Sequence, residues 1–148
     1  MSRSGVTLAQ DIISSYQEFK LGKKHAYVLY KLSEDNKVIE VEKKVLKDDK
    51  PNPKDQYEEF IAALPEKQCR YAIYDFTYDL PGEGTRDKII FFAWSPDNAS
   101  IKQKMICASS KGTLRSALTG VAAEIQGTDY SEIAYEVVFQ KVARTQST

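Results

Sequence analysis

SPDNASIKQKMICASSKGTLRSALTG, residues 95–120, encodes a helix behind a turn. Ser95, Pro96, Asp97 and Asn98 form a turn cluster, because each favours a bend over a continued strand. Gly120 marks the far end, where a residue just past a helix commonly needs positive φ. At about 100° per residue, Ile106, Cys107, Ser110, Leu114, Ala117, Leu118 and Val121 share one face, which should be buried. The opposite face carries Lys104, Met105, Ala108, Lys111, Gly112, Arg115, Ser116 and Thr119, with Ile101 at its start. All its charges are positive. Met105 beside Ile101, rimmed by Lys and Arg, has the composition of a protein-docking surface. It equally has that of a solvated face on which long basic stems cover apolar neighbours. Gly112 and the Ser109–Ser110 pair weaken the middle of this helix and predict a kink.

Outward from this stretch, the chain of 148 residues has the volume for one core. Its formal net charge is +0, which argues against a broad nucleic-acid footprint. No apolar run is long enough for a bilayer span, and the start, MSRSGVTLAQD, lacks an apolar signal core. The expected location is cytoplasmic. Cys69 and Cys107, the two cysteines, are then expected as reduced thiols.

Residues 1–6 are small and polar and read as a flexible tail, as do residues 145–148. Thr7 with Gln10 has capping-box spacing, followed by Leu8, Ile12, Tyr16 and Phe19 at helical intervals and a stop at Gly22. HAYVLYKL (25–32) and VIEVEKKVL (38–46) read as a hairpin. Asn52 can cap, and Pro53 can open, a short helix carrying Tyr57, Phe60, Ile61 and Leu64, which ends before Pro65. CRYAIYDFTYDL (69–80) and KIIFFAW (88–94) read as central strands joined through Pro81-Gly82-Glu83-Gly84. The near-continuous apolar run of the second calls for cover on both faces. VAAEIQG (121–127) suits a short strand. Asp129 and Glu132 have box spacing before a last helix with Ile133, Ala134, Val137 and Val138 inward. The simplest arrangement that buries every stripe is a single α/β domain with a mixed β-sheet and helices packed on both faces.

The inventory for catalysis is thin. His25 is the one histidine and reads as surface or structural. Cys69 and Cys107 read as small buried hydrophobes rather than nucleophiles. With one His and no close Cys pair, no metal or cofactor site is expected. Asp75 and Asp79 lie four apart on one strand and are read as ion-pairing groups. PGEG lacks the spacing of a phosphate loop. No enzymatic activity is expected.

Four segments are far more specific than these short patterns: LPEKQCRYAIYDFTYD (64–79), KIIFFAWSPDNASIKQKM (88–105), ASSKGTLRSALTG (108–120) and EIQGTDYSEI (124–133). Together they resemble the actin-depolymerizing factor/cofilin family, over essentially the whole domain. The resemblance implies an actin-binding protein that takes ADP-actin monomers and filament sides, and that severs and depolymerizes filaments. A non-severing filament-side or branch-junction module of the same fold is the alternative. It implies a monomer-binding set of Arg3, Ser4, Gly5, Val6, Lys102, Lys104, Met105, Lys111, Leu114 and Arg115, of which the helical wheel leaves Leu114 on the buried side. It implies a filament-binding set of Arg86, Lys88, Gln140, Lys141 and Arg144. It also implies phosphorylation at Ser4, competition by phosphoinositide headgroups for the basic face, and a monomeric, cytoplasmic protein that needs no cofactor.

Four positions depart from the family pattern. Gly112 stands where many relatives have an acid, Ser116 where a basic residue is frequent, Gln140 where an acid is frequent, and Asp87 within a loop that is usually more basic. These changes leave the monomer set largely intact and bear mainly on filament affinity.

Overall fold

In the computed structural model, which describes residues 5–49 and 52–144, the strands join into one sheet of order β1-β3-β2-β4-β5-β6. In chain order the elements are β1 (Thr7–Leu8), α1 (Ile12–Gly22), β2 (His25–Leu32), β3 (Val38–Leu46), α2 (Pro53–Ala63), β4 (Arg70–Leu80), β5 (Gly84–Trp94), α3 (Ile101–Ala117), β6 (Ala123–Gly127) and α4 (Tyr135–Arg144). The β2–β3, β2–β4 and β4–β5 pairs are antiparallel, and the two outer pairs, β1–β3 and β5–β6, are parallel. The sheet is therefore mixed, as the sequence requires. A parallel neighbour needs a long connection, and α3 provides it between β5 and β6.

Alternation along the central strands builds two cores. Tyr74, Phe76 and Tyr78 of β4, with Ile90, Phe92 and Trp94 of β5, point to the side covered by α2 and α4. Tyr71 and Ile73, with Phe91, point to the side covered by α1 and α3. The first core is an aromatic cluster around Tyr57. Its ring centroid lies 5.5 Å from Phe60, 5.2 Å from Tyr74, 5.8 Å from Phe76 and 5.6 Å from Tyr135. Edge and tilted contacts of this kind add to the burial of apolar area. The Tyr57 hydroxyl donates to the Ile133 carbonyl at 2.6 Å, so a buried polar group is satisfied and α2 is tied to the segment before α4.

The helix expected from Thr7 starts later. Thr7 and Leu8 pair with Val38 and Ile39, and the Thr7 N–H donates to the Lys37 carbonyl. Ladder bonds to β3 displace the expected capping box, and α1 begins at Ile12. Val6, assigned to a flexible tail, is buried against the α1–α3 side. The other expected tail positions, residues 1–4 and 145–148, lie outside the described residues. β5 starts at Gly84 rather than at residue 88, so Arg86 and Lys88 are paired strand residues opposite Tyr78 and Phe76. α3 ends at Ala117, and Gly120, with φ of 87°, turns the chain shortly afterwards. Gly112 does not interrupt α3.

The last helical region is split. A 3-10 turn spans Tyr130–Ile133, and Ala134 breaks it with ψ of 148°. Asp129 accepts from the N–H groups of Ser131 and Glu132. Glu132 reaches back to the Thr128 N–H and hydroxyl. Ile133 and Val138 are buried as expected, Val142 joins them, and Val137 faces outward because α4 starts at Tyr135.

Tyr57→Phe removes only the hydroxyl that meets Ile133 and should lower unfolding free energy by about 1–3 kcal/mol. Urea denaturation should show this as a lower midpoint with an unchanged slope.

Candidate functional site: the outer face of α3

The helix starts cleanly because Ser100 accepts from the Gln103 N–H at 3.1 Å, a standard N-cap bond. Cys107, Ser110 and Leu114 are its buried residues, and Leu118 just beyond its end is also buried. Two further bonds fix its height over the sheet. The Gln103 side-chain oxygen accepts from the Cys69 N–H at 2.6 Å, and the Tyr71 hydroxyl donates to the Cys107 carbonyl. At the other end the Tyr16 hydroxyl of α1 donates to the Thr119 carbonyl. α3 is therefore bound to β4 and α1 as a rigid rib with one free face.

That face carries Ile101 at 77% and Met105 at 67% exposure, surrounded by exposed Lys102, Ala108, Ser109, Gly112 and Ser116. The small residues keep the relief low beyond Met105. The Ser109 hydroxyl bonds back to the carbonyls of Met105 and Ile106, a local bond that satisfies its polar group within the helix. The predicted division of the helix into a buried and an exposed stripe is thus observed.

The basic groups are less free than the helical wheel implies. Lys104 Nζ donates to the Asp97 carbonyl at 2.8 Å. Lys111 Nζ lies 2.7 Å from Glu124 Oε2, and Arg115 Nε lies 3.4 Å from Glu124 Oε1. One carboxylate on β6 therefore holds two cations that stand one turn apart on α3. Burial pulls the Glu124 carboxyl upward, but hydrogen bonds from Lys111 and Gln126 and the charges of Lys111 and Arg115 hold it below its usual range. Sequence reasoning missed Glu124. The available signal was an acid in the strand that directly follows a wholly basic helix face.

Two of the expected monomer-site residues are buried. Leu114 is 0% exposed and Val6 is 2% exposed. Each supports the surface from beneath, because both are locked into the core shared by α1 and α3. Gly5 is exposed, with φ of 78°. Arg3 and Ser4 lie outside the described residues.

The second set gathers elsewhere. Arg86, on the β4–β5 hairpin, donates to the Glu83 carbonyl at 3.2 Å. Its strand partner Tyr78 meets Phe139 of α4 in a tilted ring contact at 5.8 Å, which brings the hairpin beside exposed Gln140 and Lys141. Lys88 is half-buried, and burial lowers its pKa. Asp87 is engaged by Lys23 at 3.1 Å. Arg144 closes α4. α4 and α3 lie on opposite faces of the sheet, so the two sets form separate surfaces.

The groups of catalytic type read from the sequence, Cys69, Cys107, Asp75 and Asp79, each have a local partner in the fold. Cys69 and Cys107 are free and buried. Contact with Cys107 lowers the Cys69 thiol, and the same contact raises Cys107. Asp75 is buried, and burial raises its pKa, although Lys47 Nζ lies 2.9 Å from its Oδ2. Asp79 instead accepts from the Thr85 hydroxyl at 2.7 Å. The expected pairing therefore holds for Asp75, whereas Asp79 is hydrogen-bonded. Among the described residues, no group of three His, Cys, Asp or Glu is placed to hold a metal, and no helix is long and apolar enough to cross a membrane.

The family model for cofilin/tropomyosin-type actin-binding proteins matches residues 5–143. The chain belongs to the cofilin family. It is 51% identical to cofilin of Schizosaccharomyces pombe over 144 residues, which covers 97% of this chain and 99% of that protein. A crystal structure described as Streptomyces griseoflavus cofilin superposes with a TM-score of 0.82 at 48% identity, covering 95% of this chain and 98% of that one. Plasmodium berghei actin depolymerization factor 2 gives a TM-score of 0.84 at 26% identity over 94% and 97%. The mixed sheet with helices on both faces is thus the family fold.

Because the folded-state pKa of Glu124 is depressed, its stabilising effect is present above its unfolded titration and is lost as pH falls through the folded one. Glu124→Gln should therefore cost about 1 kcal/mol or less at neutral pH. The difference from wild type should vanish in acid, as read by urea denaturation at a series of pH values.

Proposed function

We propose that this chain binds ADP-actin monomers through the outer face of α3 and filament sides through both surfaces, and that it severs and depolymerizes filaments without catalysing a reaction. Family membership supports actin binding and depolymerization. The observation that carries the assignment of the surface is the exposed Ile101–Met105 pair, rimmed by Lys102, Lys104, Lys111 and Arg115 on a helix that is otherwise firmly seated. Such a face fits an apolar cleft bordered by carboxylates. Apolar burial supplies affinity, and the cations set orientation and encounter rate.

Filament binding adds Arg86, Lys88, Gln140, Lys141 and Arg144. With monomer contacts on one side of the sheet and these on the other, one copy can touch two neighbouring subunits of a filament. Disassembly then needs no bond chemistry here. Preferential binding to one filament state shifts the population toward it. The protein acts as a cytoplasmic monomer. Phosphoinositide headgroups compete for the same cations. Phosphorylation at Ser4 adds roughly two negative charges to a protein that seeks an acidic partner.

Joint replacement Lys111→Ala and Arg115→Ala should weaken ADP-actin monomer binding at least about tenfold, or roughly 1.4 kcal/mol, as read by the fluorescence of labelled monomer. Unchanged affinity would exclude this face. Arg86→Ala with Lys141→Ala should reduce co-sedimentation with preformed filaments while monomer affinity stays within about twofold. Break frequency of single filaments under the microscope separates severing from simple decoration.

A further inference from the structure

The ion pairs at Glu124 give the α3 face an internal occupant. Each carboxylate oxygen of Glu124 meets one cation, Oε2 with Lys111 and Oε1 with Arg115. Gln126 Nε2 donates to Oε2 at 3.2 Å and steadies the group. The cluster thus presents a net charge of +1 where two cations alone would present +2, counting one Lys, one Arg and one Glu. Glu124 is also at the surface. Its side chain is 28% exposed, as is that of Lys111, and that of Arg115 is 36% exposed. A partner that covers α3 therefore covers the carboxylate as well.

We infer that Glu124 is a specificity-determining residue of this surface, an intramolecular carboxylate that occupies Lys111 and Arg115 until acidic groups of the partner take them over. The inference rests on the assignment of α3 to actin binding. An incoming carboxylate meets a like charge within a few ångströms, and Glu124 loses its remaining water as the interface closes. Both effects oppose association. Both favour a partner whose acids are placed to capture the two cations over one that offers only diffuse negative charge. This is discrimination by a built-in repulsive element. The face is basic in sequence and partly neutralised in the fold.

The test is a double-mutant cycle on the full chain with ADP-actin monomer as the probe, read as equilibrium affinity and as association rate against salt. Glu124→Gln keeps the shape and an acceptor oxygen but removes the charge. It should tighten binding about three- to tenfold at low salt, mainly through faster association. The part of the gain that comes from freeing the two cations should be lost in the background of Lys111→Ala with Arg115→Ala, so the changes should be non-additive. Unchanged or weaker binding by a folded Glu124→Gln protein would overturn the proposal; weaker binding would make Glu124 a holder of the cations rather than their competitor. If Glu124→Gln fails to fold, Glu124→Asp, which keeps the charge but withdraws it by one methylene, should give a smaller gain in the same direction, and no gain overturns the proposal. If the Lys111/Arg115 double variant alone leaves affinity unchanged, the fault lies in the assignment of the α3 face, and that outcome is separable because it involves no change at Glu124.

Discussion

The ladder between β4 and β5 is the constraint on which the other elements depend. It runs without a register break from Arg70 opposite Trp94 to Leu80 opposite Gly84. Because side chains alternate at every step, a one-residue slip of β5 along β4 would send Ile90, Phe92 and Trp94 to the side of α3, and Phe91 to the side of α2. Both cores would be lost together. The large side chains buried on both faces make such a slip prohibitive, so the register is set by packing as much as by the hairpin turn.

The height of α3 follows from this ladder. Its anchors are the Cys69 N–H just before β4 and the Tyr71 hydroxyl two residues further on. Buried bonds of this type contribute modest net energy, yet leaving one unpaired is costly. They therefore define position more than they add stability. A firmly held helix can show Ile101 and Met105 to water without collapsing around them, and less conformational freedom is then lost when a partner covers the face.

Much of this was legible in the sequence. The β2–β3 hairpin, α2 with its Asn52 cap and the two stripes of α3 follow from local pattern and turn chemistry, and in these places tertiary contacts reinforce local preference. The misreadings occurred where a distant partner decided the outcome. Thr7 has the spacing of a cap, but an open edge on β3 recruited it as a strand. The extension of β5 back to Gly84 depends on pairing with the polar end of β4, which no apolar pattern marks. The split before α4 lies at Ala134, whose extended ψ ends the 3-10 turn, and neither the box spacing nor the apolar pattern marks that position. At the candidate site the helical wheel identified which cations face outward. It could not reveal that Glu124, nine residues beyond Arg115 in sequence, lies beside them, because that proximity is created by the β5–α3–β6 crossover.

The burial of Val6 ties the edge of the sheet to the long helix. Val6 shares a core with Leu114 and Leu118, directly beneath the α3 face. The next two residues, Thr7 and Leu8, pair with β3. One small side chain therefore joins the last turn of α3 to the far edge strand. A cavity opened at this position would loosen both together, because neither element has slack to fill it.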